Sequence, residues 1–574
     1  MNKIRMEKRK GRVKNTIGIN FLSPLLWILV LSFLPIFMGI NTWAYKIKNA
    51  EGFKLVAIDS LYKVFKFKRR VPTYKEIHLY SARNEYEAFQ VLLYEARKSF
   101  NNIEIVVEDL LNSSKDSKIA SSFIKVREIG YVPTKKPYYR TLYVGLWPDP
   151  LFEKDRFSLV KGSSLALWVS IYVPPSTLPG EYKGSIKIIS GNYVRKLPIT
   201  LYVWDFTLPK ESHLKTAFDF YEHFLPKFYT RKKREDYQEW KRRLQKIREA
   251  FYLMMLEYRI SPILNLDPLS RDFNTRLAKY LKQGLNAFGI GKFGGSFGNN
   301  WPRNKDSYII SLYRRYAEVL RRNGTLNKAY VYSWDEGEIG NPRVKEIIEL
   351  IHRADPKLKN MVCYHGFWDP DKYPEWGKDI DIWCFQIANY NEVLRKKLEK
   401  LGIEIWMYVS GPDSIYPNFA LDFPAISARI IPWLCWKYDI KGLLYWCVNF
   451  WRVNPFKDAM NTHWQQNGNG LLLYPGREGP IASLRLELIR DGIEDYEYLY
   501  LLKELYQKVP KENIDKSMKK KIEKLLSLKG FINSLSDYNE NPQVLYKKRK
   551  EIAEAILYLK GNNILSSSKG RRSL

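Results

Sequence analysis

Between about residue 211 and residue 505 the chain alternates strand-like and helix-like stretches. This pattern limits the possible folds more than any other feature of the sequence. The apolar runs are LKTAFDF (214–220), SPILNL (261–266), NAFGIGKF (286–293), KAYVYSW (328–334), NMVCYHGF (360–367), DIDIWCFQ (379–386), EIWMYVS (404–410) and GLLYWCVNF (442–450). Most are followed by a helix-like segment, such as SYIISLYRRYAEVLRR after the third and PAISARIIPWLCWKY after the seventh, and a last helix is expected to start near Ser483. In the first helix Trp240, Leu244, Ile247, Phe251 and Met254 recur on one face. Eight strand–helix units over about 290 residues are the count and size of a (β/α)8 barrel. An open doubly wound sheet is the rival, but no glycine-rich phosphate loop follows the first strand.

Upstream, from about 52 to 208, the texture is different. EAFQVLLYEA, IEIVVEDL, SLALWVSIYVP, YKGSIKIIS and KLPITLYVWDF are short β-favouring runs divided by Gly, Pro, Asn and Ser. They predict a β-sandwich. Beyond 505 the chain is Lys/Glu-rich and helical and ends in SSSKGRRSL, which reads as solvated helices with a loose tail. The expected organisation is an α/β chain: residues 1–44 a leader, 45–210 a β-sandwich, 211–505 the barrel, and 506–574 a basic helical extension.

The leader pattern is explicit. Seven Lys/Arg against one Glu precede residue 17, and residues 17–40 carry no charge. That run is long enough to span a bilayer. The basic flank is expected to stay in the cytoplasm, so the rest of the chain is expected outside it. A cleaved signal peptide ending near NTWA (41–44) and an uncleaved anchor both fit; in the second case residues 17–40 make the membrane a partner. The net charge of +33 is spread along the chain, and no nucleic-acid-binding signature accompanies it. Four cysteines, Cys363, Cys384, Cys435 and Cys447, have neither disulfide-scaffold nor zinc spacing, and are expected to be apolar core residues. Neither a metal nor a cofactor is implied.

Catalytic groups of such barrels sit where the strands end. YVYSWDEGE (330–338) places Asp335 and Glu336 just past the fourth strand. Adjacent residues on an extended backbone point in different directions, so two such carboxylates have separate tasks. Glycoside hydrolysis uses that division. Its common retaining form needs a carboxylate nucleophile opposite the acid. The seventh strand, where one is expected, ends in WMYVSG, and Glu404 stands at its beginning, on the wrong rim. A substrate-assisted route removes the need: a 2-acetamido carbonyl oxygen attacks its own anomeric carbon while one acid protonates the leaving oxygen and another carboxylate holds the amide N–H. Burial and the neighbouring Asp335 are expected to raise Glu336 towards a working acid.

YVYSWDE, GLLYWCVNFW, NGLLLYPG and above all SLRLELIRDGIEDYEYLYLL (483–502), with ARNEYEAFQVLL (82–93) and LWVSIYVPPSTLPGEYKGSIKI (167–188), resemble glycoside hydrolase family 123 and the wider DUF4091 domain family. The resemblance covers roughly 80–505. It implies a β-N-acetylgalactosaminidase-like retaining enzyme with Glu336 as general acid/base and Asp335 as the residue orienting the acetamido group. A catalytically inactive carbohydrate-binding or envelope protein is the second reading. A glycosidase for another sugar is the third, and it would need a further carboxylate such as Asp219, Glu222 or Asp413.

Tyr364 and Tyr408, near the ends of the fifth and seventh strands, are candidate donors to the acetamido oxygen. His365 is a candidate for a sugar hydroxyl. Trp383, Trp406, Trp446 and Trp451 are candidate sugar platforms, one or two of them expected to line the pocket, Trp446 first and Trp383 with it, and Asn449 and Gln386 are candidate hydroxyl readers. RDGIEDYEYL (490–499) matches no calcium loop and reads as the last barrel helix, making ion pairs back to the barrel.

Overall fold

The computed structural model describes residues 46–47, 52–66 and 77–570, less 292, 296–299, 337, 412–414 and 461–463, with side chains as far as 562. The expected leader and its apolar run lie outside the described residues. Among the described residues no helix is long and apolar enough to cross a membrane.

The N-terminal region contains two sheets. One is antiparallel and runs in the order Lys46–Ile47, Lys54–Asp59, Glu85–Tyr94, Leu165–Val173, Ile124–Pro133, Leu146–Phe152. The other is built around Gly180–Ser190 paired with Tyr193–Thr207, with Phe100–Val107 and His78–Arg83 outside them. Leu55, Ala57, Phe89, Val91, Leu167 and Val169 share a core with Ile186, Ile188, Leu197 and Ile199 of the facing sheet. The alternate residues Val56, Ile58, Leu92, Ala166 and Trp168 belong instead to the core that continues into the helical half of the chain. The first sheet is therefore covered on both faces, which explains why its central strands are almost continuously apolar.

The parallel sheet begins at Lys215. Its strands are β1 (Lys215–Phe218), β2 (Phe288–Gly289), β3 (Ala329–Asp335), β4 (Lys359–Tyr364), β5 (Ile382–Gln386), β6 (Glu404–Tyr408) and β7 (Gly442–Tyr445). They pair in the order β1–β7–β6–β5–β4–β3–β2. The barrel is nearly closed with these seven strands, where the sequence predicted eight. The missing one, 261–266, contributes single parallel bridges, Pro262 to Phe218 and Leu266 to Ile290. Pro262 has no N–H for the ladder, and Asn265 adopts φ +41°, so the segment cannot hold a continuous extended pairing.

Alternation along the strands sorts the barrel side chains. Tyr330, Tyr332, Met361, Cys363, Ile382, Cys384, Trp406, Tyr408 and Leu444 form one interior cluster. Val331, Val362, Tyr364, Trp383, Phe385, Ile405 and Met407 join the core beneath the helices. At the N-terminal end of the strands Glu404 accepts from Lys215 (2.7 Å), Lys359 (3.0 Å) and the Trp406 indole (2.7 Å), an ionic plug on the rim away from Asp335. All four cysteines are buried and free.

The helix α1 (Leu484–Lys508) starts with Ser483 capping the Leu486 N–H, and it is buried over most of its length. Its charged residues are paired, each with a different part of the molecule. Arg485 makes two hydrogen bonds to Asp149 (2.9 and 2.7 Å) of the first sheet. Glu487 pairs with Arg127, Ser170 and Tyr258. Glu494 meets Arg259 at 3.0 Å, and Asp495 accepts from Arg429 (2.7 Å) on the neighbouring helix α2 (Ala425–Lys437). Gly492 is where the two helices touch: a Cβ there would lie 2.5 Å from the Arg429 carbonyl oxygen.

The C-terminal segment is not the solvated appendage its composition suggested. The helix α3 (Pro542–Gly570) buries Leu545, Ile552, Ala553, Ile556 and Leu559, and between them Arg549 pairs with Glu85 and Glu87 of the first sheet and, at 2.8 Å, with Asp495 of α1. Removing one member of a buried ion cluster leaves the others uncompensated. Arg549→Ala is therefore expected to destabilise the fold by about 3–5 kcal/mol in chemical denaturation.

His213 marks the entry to the barrel. Its Nδ1 lies 2.7 Å from Glu497 of α1, and its ring stacks on Tyr500. Burial opposes protonation, but the hydrogen bond to Glu497 and that carboxylate's charge outweigh it and raise the imidazole above its ordinary value. A raised folded-state value stabilises the fold fully below the unfolded pKa of about 6.5 and loses that contribution as pH rises through the folded value. Thermal scans should show Tm falling as pH rises above about 6.5, with that fall reduced in His213→Gln.

Candidate active site

The C-terminal ends of β3, β4, β5 and β6, with the loops after β6 and β7, enclose a cavity of about 310 Å³. Asp335, Glu336, His365, Tyr408 and Trp446 line it, together with Tyr332, Cys363, Gln386, Ser410, Gly411, Leu444, Trp464, Gln466 and Asn469. Among the described lining residues, Asp335 and Glu336 are the carboxylates.

A break in the β3–β4 ladder brings Asp335 inward. Tyr332 pairs with Met361, but Trp334 pairs with Val362 and Asp335 with Cys363, so two β3 positions span one β4 position. Such a bulge shifts the in–out phase by one residue. Trp334 turns to the helical side and Asp335 to the interior, in phase with Tyr332. Ser333 anchors the bulge: its hydroxyl donates to Asn360 (2.6 Å), and its carbonyl accepts from the Trp301 indole (2.8 Å). The chain then turns sharply. Glu336 has φ +41°, a strained conformation for a non-glycine residue, while its N–H still donates to the Cys363 carbonyl at 3.0 Å.

Each carboxylate has its own phenol. Tyr332 donates to Asp335 Oδ1 at 2.7 Å, and Tyr408 donates to Glu336 Oε1 at 2.7 Å. His365 lies beside the second pair, with Nδ1 3.2 Å from the Tyr408 oxygen and Nε2 3.6 Å from Glu336 Oε2. Burial, and after it the Asp335 charge, push the Tyr332 phenol far above its ordinary range. Burial does the same to Tyr408, with Cys363 and Glu336 adding to it. Both tyrosines therefore stay protonated donors at any working pH. The Glu336 side chain is not sealed in: 37% of it is exposed towards the cavity mouth.

Trp446 and Trp464 meet edge to face at 5.7 Å along the opposite wall. The Trp446 indole donates to Asn469 at 2.9 Å, and Gly470 lies so close beneath the Trp446 ring that a Cβ there would approach to 2.5 Å. Gln386 donates to the Ser410 carbonyl at 2.7 Å. The loop carrying Gln466 and Asn469 is held from below by Arg485, which donates to the carbonyls of Gly468 (2.9 Å) and Leu471.

Five residues considered for the site lie elsewhere. Tyr364 and Trp383 follow interior positions on their strands, so they point outward and stack on each other at 5.5 Å under the helices. Asn449 is fully buried, bonding the backbone N–H (2.7 Å) and carbonyl (3.0 Å) of Tyr221. Trp406 and Trp451 are also buried away from the cavity. Conversely, Tyr332 is two positions before Trp334 in the quoted strand, and its alternation with Tyr330 was available in the sequence. Trp464, Gln466 and Asn469 come from a loop without periodicity and had no such signal.

Two family models match the chain: "Glycoside hydrolase 123, catalytic domain" over residues 297–502 and "Glycoside hydrolase 123 N-terminal domain" over residues 56–190. The chain belongs to glycoside hydrolase family 123. It is a glycoside hydrolase, and its substrate is a carbohydrate or glycoconjugate. Among solved structures, a family 123 glycoside hydrolase from Clostridium perfringens, described for glycolipid glycan hydrolysis, shares the fold. It has 14% identity and a TM-score of 0.62, over 90% of this chain and 99% of that one. An Ig-like-domain-containing GH10 xylanase from termite gut matches at 11% identity and a TM-score of 0.26, over 73% of this chain and 99% of that one. No curated protein matches the sequence.

The separate phenols yield a test of the geometry. Tyr332→Phe and Tyr408→Phe each remove one donor from one carboxylate. Each is expected to lower kcat/KM roughly 10- to 100-fold in steady-state glycosidase assays, the worth of about one charge-assisted hydrogen bond. Tyr364→Phe, outside the cavity, should leave kcat/KM within about twofold.

Proposed function

We propose that this family 123 enzyme removes a terminal β-linked N-acetylhexosamine, N-acetylgalactosamine by the sequence resemblance, with retention of configuration and with the substrate's own acetamido group as nucleophile. The observation that carries this reading is the pairing of two adjacent carboxylates in one cavity, each on a separate tyrosine, without a third carboxylate among the described lining residues. A double-displacement retaining enzyme needs a nucleophile about 5 Å across from its acid.

In the proposed reaction Asp335, held by Tyr332, accepts a hydrogen bond from the acetamido N–H and raises the nucleophilicity of its carbonyl oxygen. That oxygen attacks the anomeric carbon as the glycosidic bond breaks, and Glu336 gives its proton to the departing oxygen. The cyclic oxazolinium intermediate is opened by water, which returns a proton to Glu336. The face of Trp446 or Trp464 supports the sugar ring, and His365 reaches a hydroxyl.

The rival with a protein nucleophile is weakened at two of its three positions. Glu222 is committed to Arg248 and Tyr252, and Asp219 lies outside the cavity lining. Asp413 lies outside the described residues.

The test uses two N-acetylgalactosaminides, one with an activated aryl leaving group and one with an alkyl leaving group. Glu336→Gln should lose roughly 10²–10⁴-fold on the alkyl substrate and far less on the activated one, because only the poor leaving group needs the proton. Asp335→Asn should slow both alike. A thiazoline mimic of the cyclised intermediate should inhibit the native enzyme. If the thiazoline fails to bind and Asp413→Asn abolishes turnover, the substrate-assisted reading is wrong.

A further inference from the structure

The strands Ile124–Pro133 and Leu146–Phe152 of the first sheet are joined by the loop 134–145, TKKPYYRTLYVG. This loop is tied down and yet greasy. Tyr139 packs with Ala420 and Phe423, and its hydroxyl donates to Asp422, whose other oxygen accepts from Asn467 at 2.8 Å. The Lys135 N–H donates to Asn467 Oδ1 at 3.0 Å, and the Tyr143 carbonyl accepts from the Trp147 indole at 2.9 Å. Between these anchors Tyr138 (57%), Leu142 (75%), Tyr143 (36%) and Val144 (46%) are exposed. Lys136 and Arg140 are exposed among them. Single exposed apolar residues are ordinary on a soluble surface; four within seven positions of a fixed loop are not.

The loop stands at the lip of the active-site cavity. The Tyr138 hydroxyl accepts from Gln466 Nε2 at 3.1 Å, and Gln466 lines the cavity beside the part-exposed Trp464. Aromatic and aliphatic side chains interspersed with lysine and arginine are the composition of segments that lie in a lipid headgroup layer. The charge of the loop, and the +33 of the whole chain, fit an anionic one.

We propose that the 134–145 loop docks on an anionic lipid bilayer. Leu142, Val144 and Tyr138 enter the headgroup layer, Lys136 and Arg140 meet lipid phosphates, and the catalytic mouth is held open at the membrane surface. This goes beyond the reaction proposed above and does not depend on which sugar is cleaved.

The test places an environment-sensitive fluorophore on Leu142→Cys in the full chain, since all four native thiols are buried, and on Val194→Cys of the second sheet as a control. A positional readout works whether or not the N-terminal segment also anchors the chain. On vesicles of phosphatidylcholine mixed with phosphatidylglycerol, the label at 142 should shift to shorter wavelength, become quenchable by nitroxide lipid and lose its iodide quenching; the label at 194 should not. Phosphatidylcholine alone should give a weaker response, and high salt should diminish the response to the mixed vesicles. Lys136→Gln with Arg140→Gln, carrying the same label at 142, should weaken the partitioning by about fivefold per charge removed. A label at 142 that stays in water on both vesicle types overturns the proposal. So does a shift that needs no vesicles and grows with protein concentration, which would make the loop a contact between copies of this chain.

Discussion

The architecture depends on a row of buried arginine–carboxylate pairs along the helix Leu484–Lys508. Three neighbours of that helix are held through it: the first sheet by Arg485–Asp149 and Glu487–Arg127, the helix Ala425–Lys437 by Asp495–Arg429, and the C-terminal helix by Asp495–Arg549. Charges this deeply buried lose much of their Coulomb gain to desolvation, so the row is a poor source of net stability. Its effect is geometric. A bidentate arginine accepts one orientation of its partner, and a helix carrying several of them accepts one placement of the sheet and barrel elements around it. Gly492 completes the arrangement by letting the Arg429 backbone come within contact of the helix.

The same row reaches the chemistry. Arg485 binds the first sheet on one side and the carbonyls of Gly468 and Leu471 on the other. Those carbonyls belong to the loop that carries Gln466 and Asn469 into the cavity wall, and Asn469 in turn fixes the Trp446 indole. The opposite wall is set by a different device, the bulge at Ser333, which rotates Asp335 into the barrel and leaves Glu336 in a strained turn beside it. One wall is thus positioned by ion pairs between domains and the other by strand register.

Much of this was legible from the residues. The alternation of apolar runs located every strand that the barrel keeps, and the last barrel helix was expected near Ser483, where Ser483 indeed caps it. The charged stretch RDGIEDYEYL was read as structural, but its partners were not foreseeable. Arg127, Arg259 and Arg549 are hundreds of residues away or in another region, and no local pattern encodes such pairs. The second strand failed for a reason visible in hindsight, since Pro262 removes a ladder donor. The C-terminal helix was misjudged because its lysines and glutamates hide a stripe in which Leu545, Ile552, Ile556 and Leu559 share one face. Within the site, strand parity separates Tyr408 from Tyr364 and Gln386 from Trp383. The bulge breaks that parity just where Asp335 stands, and a bulge is a feature of pairing, which a single strand does not announce.

The cavity is therefore not a property of the barrel alone. Tyr138 of the first sheet's loop hydrogen-bonds Gln466 in the cavity wall, and Tyr139 beside it braces Asp422 and Asn467. A barrel stripped of its N-terminal sheets would lose the partner of Arg485, leaving a buried guanidinium without its carboxylate and the loop from Gly468 to Leu471 without its clamp. It would also expose the apolar surface that Trp168 and Val56 of the first sheet now cover, since they continue the barrel's own core. The sheets and the barrel are in this sense one catalytic body. The sequence relationship to family 123 extends over both regions, as expected if the walls of the site depend on both.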